Sequence, residues 1–279
     1  MPANQIFSTP ELSAQKDNPL DYAIRERDKN TMQMVRNALR RKQVMLAYQP
    51  VVRADGQHHP AFYEGLIRVL DDTGRIIPAR DFIEVVETDE MGRILDCLAL
   101  ELGLAALLEE PTLRLSVNMS ARSIGYPRWM KTLNHGLEID ETAAERLILE
   151  ITETSAMLIP DIVCSFMRDL QKRGISFALD DFGAGYTAFR FLKNFYFDIV
   201  KIDGQFIRKI HDDPDNQVLT RALVGIAEQF EMFTVAESVE TIDEVRFLES
   251  IGIDCMQGYY FGAPTVSPPW RIPVQGKRA

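Results

Sequence analysis

From Val44 onward, strand-length apolar runs alternate with longer amphipathic ones, and this alternation leaves few folds open. Met45–Val52, Ala61–Leu70, Leu113–Val117, Leu147–Ile151, Ile175–Leu179, Ile199–Ile202, Phe233–Ala236 and Met256–Phe261 are the strand-like runs. Helix-length stretches such as Phe82–Leu108, Ile162–Leu170 and Val218–Phe230 lie between them. Near-continuous apolar strands separated by helices indicate a mainly parallel sheet covered on both faces. About seven or eight such units over about 220 residues fit a TIM-type (β/α)8 barrel better than a small doubly wound α/β sheet. The first two runs are joined only by Arg53-Ala-Asp-Gly-Gln-His-His-Pro60, a hairpin connection. The first strand is therefore expected to run antiparallel to its neighbour.

Each run delivers a polar group at or near its C-terminal end. These are Glu64, Asn118, Glu150 with Glu153, Asp180 with Asp181, Lys201, Glu237 with Glu240, and Gln257. In a closed barrel the strand ends meet at one mouth, where the active sites of such barrels lie. Glu64, Glu150, Asp180, Asp181 and Glu237 set five negative charges against the single positive charge of Lys201. A partly desolvated site holds such an excess only with bound cations or raised pKa values. The four histidines (His58, His59, His135, His211) fall elsewhere, and an all-oxygen donor set favours Mg2+, Mn2+ or Ca2+ over zinc. Two divalent ions would neutralise the excess, with the adjacent aspartates bridging them. Paired ions of that kind hydrolyse phosphoesters. A lone acid at a strand end has a plainer reading as a helix N-cap, and Asp203 and Glu240 each precede a helix-like segment. Glu153 reads equally well as an anchor for a neighbouring loop.

Other functions are disfavoured. Gly183, Gly185 and Ala188 match the dinucleotide pattern G-x-G-x-x-A, with Asp203 where a ribose-binding acid would fall. A phosphate cradle points bare backbone N–H groups at an anion, and Asp180 and Asp181 would repel it. The net charge of −10 argues against a nucleic-acid backbone as partner. Cys97, Cys164 and Cys255 are widely spaced, offer neither a disulfide framework nor a zinc site, and fit the reduced thiols of a cytoplasmic protein. No run reaches the length of a membrane span, and the N-terminus lacks the pattern of a signal peptide. Residues 1–20 read as a disordered leader and 21–43 as an N-terminal helix or linker. Residues 44–268 form the barrel, followed by a C-terminal tail over 269–279.

From about Met45 to Pro264 the chain resembles the EAL domain, a family of cyclic di-GMP-specific phosphodiesterases. The resemblance is carried by Glu64-Gly-Leu-Ile-Arg68 for the signature Glu-x-Leu-x-Arg, Asn118-Met-Ser120, and Glu150-Ile-Thr-Glu153. It continues through Asp180-Asp-Phe-Gly-Ala-Gly-Tyr186, Lys201-Ile-Asp203, Glu237-Ser-Val-Glu240 and Gln257-Gly-Tyr259. It implies a first metal held by Glu64, Asn118, Glu150 and Asp180, and a second held by Asp180, Asp181 and Glu237. Lys201 would orient the attacking water, with Glu64 and Glu237 taking part in catalysis. Gln257 and Glu240 would support the site, Arg68 would bind a substrate phosphate, Leu66 would lie against a guanine, and Gln49 would line the pocket. Glu153 would anchor the Asp180–Tyr186 loop and couple metal binding to a homodimer. The expected reaction opens cyclic di-GMP to linear pGpG with two Mg2+ or Mn2+ ions, whereas Ca2+ would bind and inhibit. Three positions depart from the pattern: Gly65 replaces alanine, Ser238 replaces glycine, and the usual Trp-x-His-Pro stretch after the signature is absent.

A binding module that senses cyclic di-GMP without cleaving it is the alternative from a different class. Retention of every ligand position favours the enzyme. A third reading, a barrel lyase stabilising an enolate with one Mg2+, would not need the paired aspartates.

Overall fold

In the computed structural model, which describes residues 19–184 and 192–271, the apolar runs form strands that close on themselves. Side chains are described from residue 29 onward, Arg80 excepted. Most of the expected leader over 1–20, most of the tail over 269–279, and the end of the Asp180–Tyr186 loop lie outside the described residues.

Strand β1 (Val44–Arg53) forms a hairpin with β2 (Pro60–Leu70), and a short β3 (Ile76–Ile77) adds to the outer edge of β2. The remaining staves are β4 (Leu115–Asn118), β5 (Leu147–Thr152), β6 (Ser176–Phe182), β7 (Ile199–Ile202), β8 (Phe233–Ala236) and β9 (Cys255–Gln257). From β2 through β4 and on to β9 each neighbouring pair is parallel. Strand β1 closes the ring and is antiparallel to both β2 and β9. The result is an eight-stranded TIM-type barrel with the antiparallel first strand that the short connection requires.

The outer layer contains α1 (Pro19–Arg40), α2 (Ile83–Val86), α3 (Glu90–Glu109), α4 (Pro127–Ile139), α5 (Glu153–Leu158), α6 (Pro160–Gln171), α7 (Gly204–Ile207), α8 (Pro214–Gln229) and α9 (Ile242–Ser250). Among the described residues no helix is long and apolar enough to cross a membrane. The run Phe82–Leu108 is interrupted between Val86 and Glu90, where Asp89 caps α3, accepting from the Glu90 backbone N–H at 2.6 Å. The C-terminal half of α1 docks on the barrel: Val35, Ala38 and Leu39 are buried among Val69, Ile77, Phe82 and Leu98.

Side chains inside the barrel follow the two-residue period of each strand. Val51, Phe62, Ile148, Ala178, Ile199 and Val235 form one apolar layer. Two residues further along the parallel staves come Glu64, Glu150, Asp180, Lys201 and Glu237. On β1 the direction reverses, so Gln49 precedes Val51 and still lies on the polar side. The apolar layer closes the barrel floor, and the polar residues lie above it.

The docking of α1 can be tested directly. Val35→Asp places an unpaired carboxylate in a site with 0% exposure and should cost at least about 3 kcal/mol of unfolding free energy. Urea unfolding followed by the fluorescence of Trp129 measures it. An unchanged midpoint would show that α1 contributes nothing to the barrel.

Candidate functional site

The polar layer centres on one ammonium. Lys201, 1% exposed, rises from β7 between carboxylates delivered by four other staves. Its Nζ is 2.7 Å from Glu237 Oε1, 2.8 Å from Glu150 Oε2, 3.1 Å from Asp180 Oδ1 and 3.3 Å from Glu64 Oε2. Glu64 is held from two further sides, accepting from Gln257 Nε2 at 2.7 Å and from Asn118 Nδ2 at 2.9 Å. Gln257 also reaches Gln49 Oε1 at 3.2 Å, and Gln49 donates to the Gly262 carbonyl at 3.1 Å. Eight sequence-derived positions are thus joined by hydrogen bonds and ion pairs, seven of them on seven strands and Glu237 one residue beyond β8.

Asp181 enters by another route. Successive residues of a regular strand point to opposite faces, so adjacent aspartates would normally diverge. Here the β6–β7 register shifts between Leu179 and Phe182, and Asp181 takes left-handed backbone with φ +57°. This bulge turns the second carboxylate toward the first. Ligand oxygens of Asp180, Asp181 and Glu237 lie within 4.8 Å of one another. Oε1 of the fully buried Glu150 has no hydrogen-bond partner among the described residues. Clustered carboxylates and an unmatched buried oxygen fit a hard divalent cation, and Glu64, Asn118, Glu150, Asp180, Asp181 and Glu237 are the residues that could hold one or two.

The electrostatics show the same imbalance. Burial opposes the Lys201 charge, but Asp180, Glu150, Glu237 and Glu64 outweigh it and hold the ammonium more firmly protonated than a free lysine. Burial also opposes the charge of Glu64, yet Lys201 and the Gln257 and Asn118 amides bring it below the ordinary carboxylate range. Glu150 is pushed well above that range by burial and then by the Glu64 charge. Burial raises Glu237 to about 8, with Asp180 and Glu64 adding to it against the pull of Lys201. Burial, then Asp180 and Asp203, raise Asp181 to about 6. One ammonium does not neutralise five carboxylates, and without cations the site retains protons.

Two cavities adjoin the polar layer. One, of about 260 Å³, is lined by Leu66, Arg68, Asn118 and Asp96 of α3. Asp96 Oδ2 accepts from the Ser123 hydroxyl at 2.6 Å and the Ser120 N–H at 3.0 Å, and burial raises its carboxyl to about 6. The other, of about 360 Å³, is lined by Gln49, Arg68, Arg208, Glu237, Ser238 and Tyr259, among others. Glu240 is an exposed residue at the rim of this second cavity, away from the Lys201 contacts. Sequence reasoning missed Asp96, although an acid among Gly92, Leu95 and Ala99 on the buried face of a helix was a usable signal. Arg208 and Ser238 carried no comparable signal as a pair, because their contact exists only in three dimensions.

The remaining sequence-derived positions are also located. Asp203 caps α7, accepting from the Gln205 N–H at 2.7 Å, so its N-cap role is real. The helix beyond Glu240 is instead capped by Thr241, in a capping box with Glu244. Glu153, 2% exposed, accepts from the Gly183 N–H at 3.1 Å and so ties the start of α5 to the loop after β6. Gly65, the glycine that replaces the pattern's alanine, sits in a closely packed part of the wall beside Glu64. An added methyl would meet the Ser116 carbonyl oxygen at 3.2 Å and Leu46 Cδ1 at 3.3 Å.

The sequence matches the EAL domain family over residues 32–264. An uncharacterized signaling protein of Caulobacter vibrioides is 33% identical over 249 residues, covering 88% of this chain and 30% of its own length. The cyclic di-GMP phosphodiesterase NbdA of Pseudomonas aeruginosa is 32% identical over 236 residues, covering 82% of this chain and 30% of its own length. The chain thus spans about three tenths of the length of these curated relatives. A solved complex of the PaMucR phosphodiesterase with c-di-GMP is similar with a TM-score of 0.74 and 27% identity, covering 85% of this chain and 97% of its own.

The raised carboxyls fix the sign of a pH effect. Asp181 and Glu237 bind more protons folded than unfolded between the ordinary carboxylate range and about pH 8, so the stability of the metal-free protein should fall as pH rises through that window. Divalent cations replace those protons and should flatten the slope. Thermal unfolding between about pH 5 and pH 9, in EDTA and in saturating Mg2+, measures both. A metal-free protein whose stability rises across this range would contradict the assignment.

Proposed function

The chain belongs to the EAL domain family, and from that premise and the site's geometry we propose that it hydrolyses cyclic di-GMP to linear pGpG with two Mg2+ or Mn2+ ions. The observation that carries this reading is the convergence of Glu64, Glu150, Asp180 and Glu237 on Lys201, with Asp181 alongside. The activity named for NbdA and the c-di-GMP complex of PaMucR support the choice of substrate.

In this reading Glu64, Asn118, Glu150 and Asp180 hold one cation, and Asp180, Asp181 and Glu237 hold the other. Such ions, when bound, acidify water and neutralise charge on the phosphate under attack. Lys201 directs an N–H group at the attacking water, and Glu64 and Glu237 on either side fix the direction of that donor. Gln257 and Gln49 keep Glu64 in place through their amide chain. Arg68 takes a substrate phosphate in its guanidinium fork. Leu66 lies against a guanine, and Asp96 in the same cavity offers a carboxylate to the N–H edge of that base. Glu240 supports the rim of the mouth.

A homodimer belongs to the same proposal. Leu158 and Ile162, at the junction of α5 and α6, are 54% and 53% exposed, and Tyr196 is 66% exposed. Gln171 of α6 donates to the Tyr196 carbonyl at 2.6 Å, which holds this segment against α6. Glu153 joins that surface to the loop following the aspartates.

Chromatography of nucleotides after incubation with cyclic di-GMP tests the function. EDTA should abolish turnover, and Mg2+ or Mn2+ should restore it with pGpG as product. Calcium should bind without supporting turnover because its looser coordination positions water poorly. Full hydrolysis in excess chelator would overturn the two-cation reading. Tight binding with no turnover in Mg2+ would reassign the chain as a sensor module.

Lys201 gives a sharper expectation. Its donor acts on the attacking water, so its effect is realised mainly in the transition state. Lys201→Ala should lower kcat by about a hundredfold or more while leaving cyclic di-GMP affinity nearly unchanged. Near wild-type turnover in the folded variant would remove Lys201 from the mechanism.

A further inference from the structure

Ser238 is a non-glycine residue in left-handed backbone, with φ +57°. Its hydroxyl accepts from Arg208 Nη2 at 3.3 Å. Gly204 makes room for it, since a Cβ on Gly204 would lie 2.6 Å from Ser238 Cβ. A backbone conformation that costs energy is retained here, and its side chain meets a guanidinium at the mouth of the site. Arg208 directly follows α7, is exposed, and lines the mouth cavity together with Arg68. The other charged groups lining that cavity among the described residues are the carboxylates Glu64, Glu237 and Glu240, which repel an anionic ligand. Among the described residues, Arg68 and Arg208 supply the positive charges of its lining. A cyclic dinucleotide carries two phosphates, of which only one undergoes attack.

We propose that Arg208, positioned by Ser238, binds the phosphate of the cyclic dinucleotide that is not being cleaved, and so sets substrate affinity. The identity of the ligand rests on the hydrolase reading. The placement of a second cation in the mouth does not. Ser238 engages one guanidinium N–H and leaves others for phosphate oxygens, for which a planar fork is well suited. The guanidinium could alternatively read the O6/N7 edge of a guanine, which needs two parallel donors. A lysine at the same position would keep the phosphate contact and lose the base contact.

Steady-state kinetics in Mg2+ on Arg208→Ala, Arg208→Lys, Ser238→Gly and the double variant Arg208→Ala/Ser238→Gly separate these roles. Arg208→Ala should raise KM by about tenfold with a much smaller change in kcat. Arg208→Lys should recover most of that loss. Ser238→Gly should raise KM by about threefold alone, add nothing in the Arg208→Ala background, and leave thermal stability no lower, because glycine accepts this backbone freely. An unchanged KM in Arg208→Ala overturns the proposal. So does an Arg208→Lys variant as impaired as Arg208→Ala, which would assign the guanidinium to a base. If the wild type hydrolyses nothing, calorimetric titration with cyclic di-GMP takes the place of kinetics, with a tenfold weaker Kd expected for Arg208→Ala. Equal affinities would then overturn this inference alone, and no binding by the wild type would overturn the substrate assignment with it.

Discussion

A single ammonium held beneath the mouth of the barrel governs the rest of the site. Lys201 is buried, and burial disfavours its charge; four carboxylates from four strands reverse that preference. Each of those carboxylates is itself buried or partly buried and needs the lysine in turn. The set is therefore mutually dependent, as buried charged networks are. It is also incomplete, because Glu150 and Glu237 remain raised despite the lysine. Those unmatched carboxyl groups are what would favour divalent cations at the mouth.

Two backbone features turn this chemical requirement into geometry. The parallel staves put every second side chain inward, so an apolar layer and a polar layer follow from the strand period alone. Parallel register alone would place only one of the adjacent aspartates inside. The bulge in β6 and the left-handed Asp181 bring the second carboxylate around, at the cost of regular pairing with β7. The reversed β1 contributes differently. It closes the ring and brings Gln49 to Gln257 from the opposite chain direction, which fixes Glu64 from behind.

The fold was legible because the signals that define it are periodic and local. The strand runs, the short connection before β2, and a polar residue at each strand end can all be seen along the chain. Lys201, Glu64, Glu150 and Asp180 could be grouped from those positions alone. What was illegible depends on neighbours distant in sequence or on backbone angles. How little room there is for a methyl at Gly65 depends on the positions of Ser116 and Leu46. The cap beyond Glu240 shifted to Thr241 because Glu244 bonds the backbone N–H groups of both Glu240 and Thr241. Asp96 comes from a helix that a survey of strand ends does not reach, and its role depends on the loop carrying Ser120 and Ser123.

The close approach of Gly204 and Ser238 restricts which mutational paths this chain can follow. While serine occupies 238, any side chain at 204 would collide with it, so position 204 is confined to glycine. Were 238 a glycine, position 204 would be open to substitution. Single substitutions at this pair therefore meet least obstruction when Ser238 is replaced before Gly204 changes. Variants at the two positions should accordingly be interpreted as a pair, because a substitution harmless in one background is obstructed in the other.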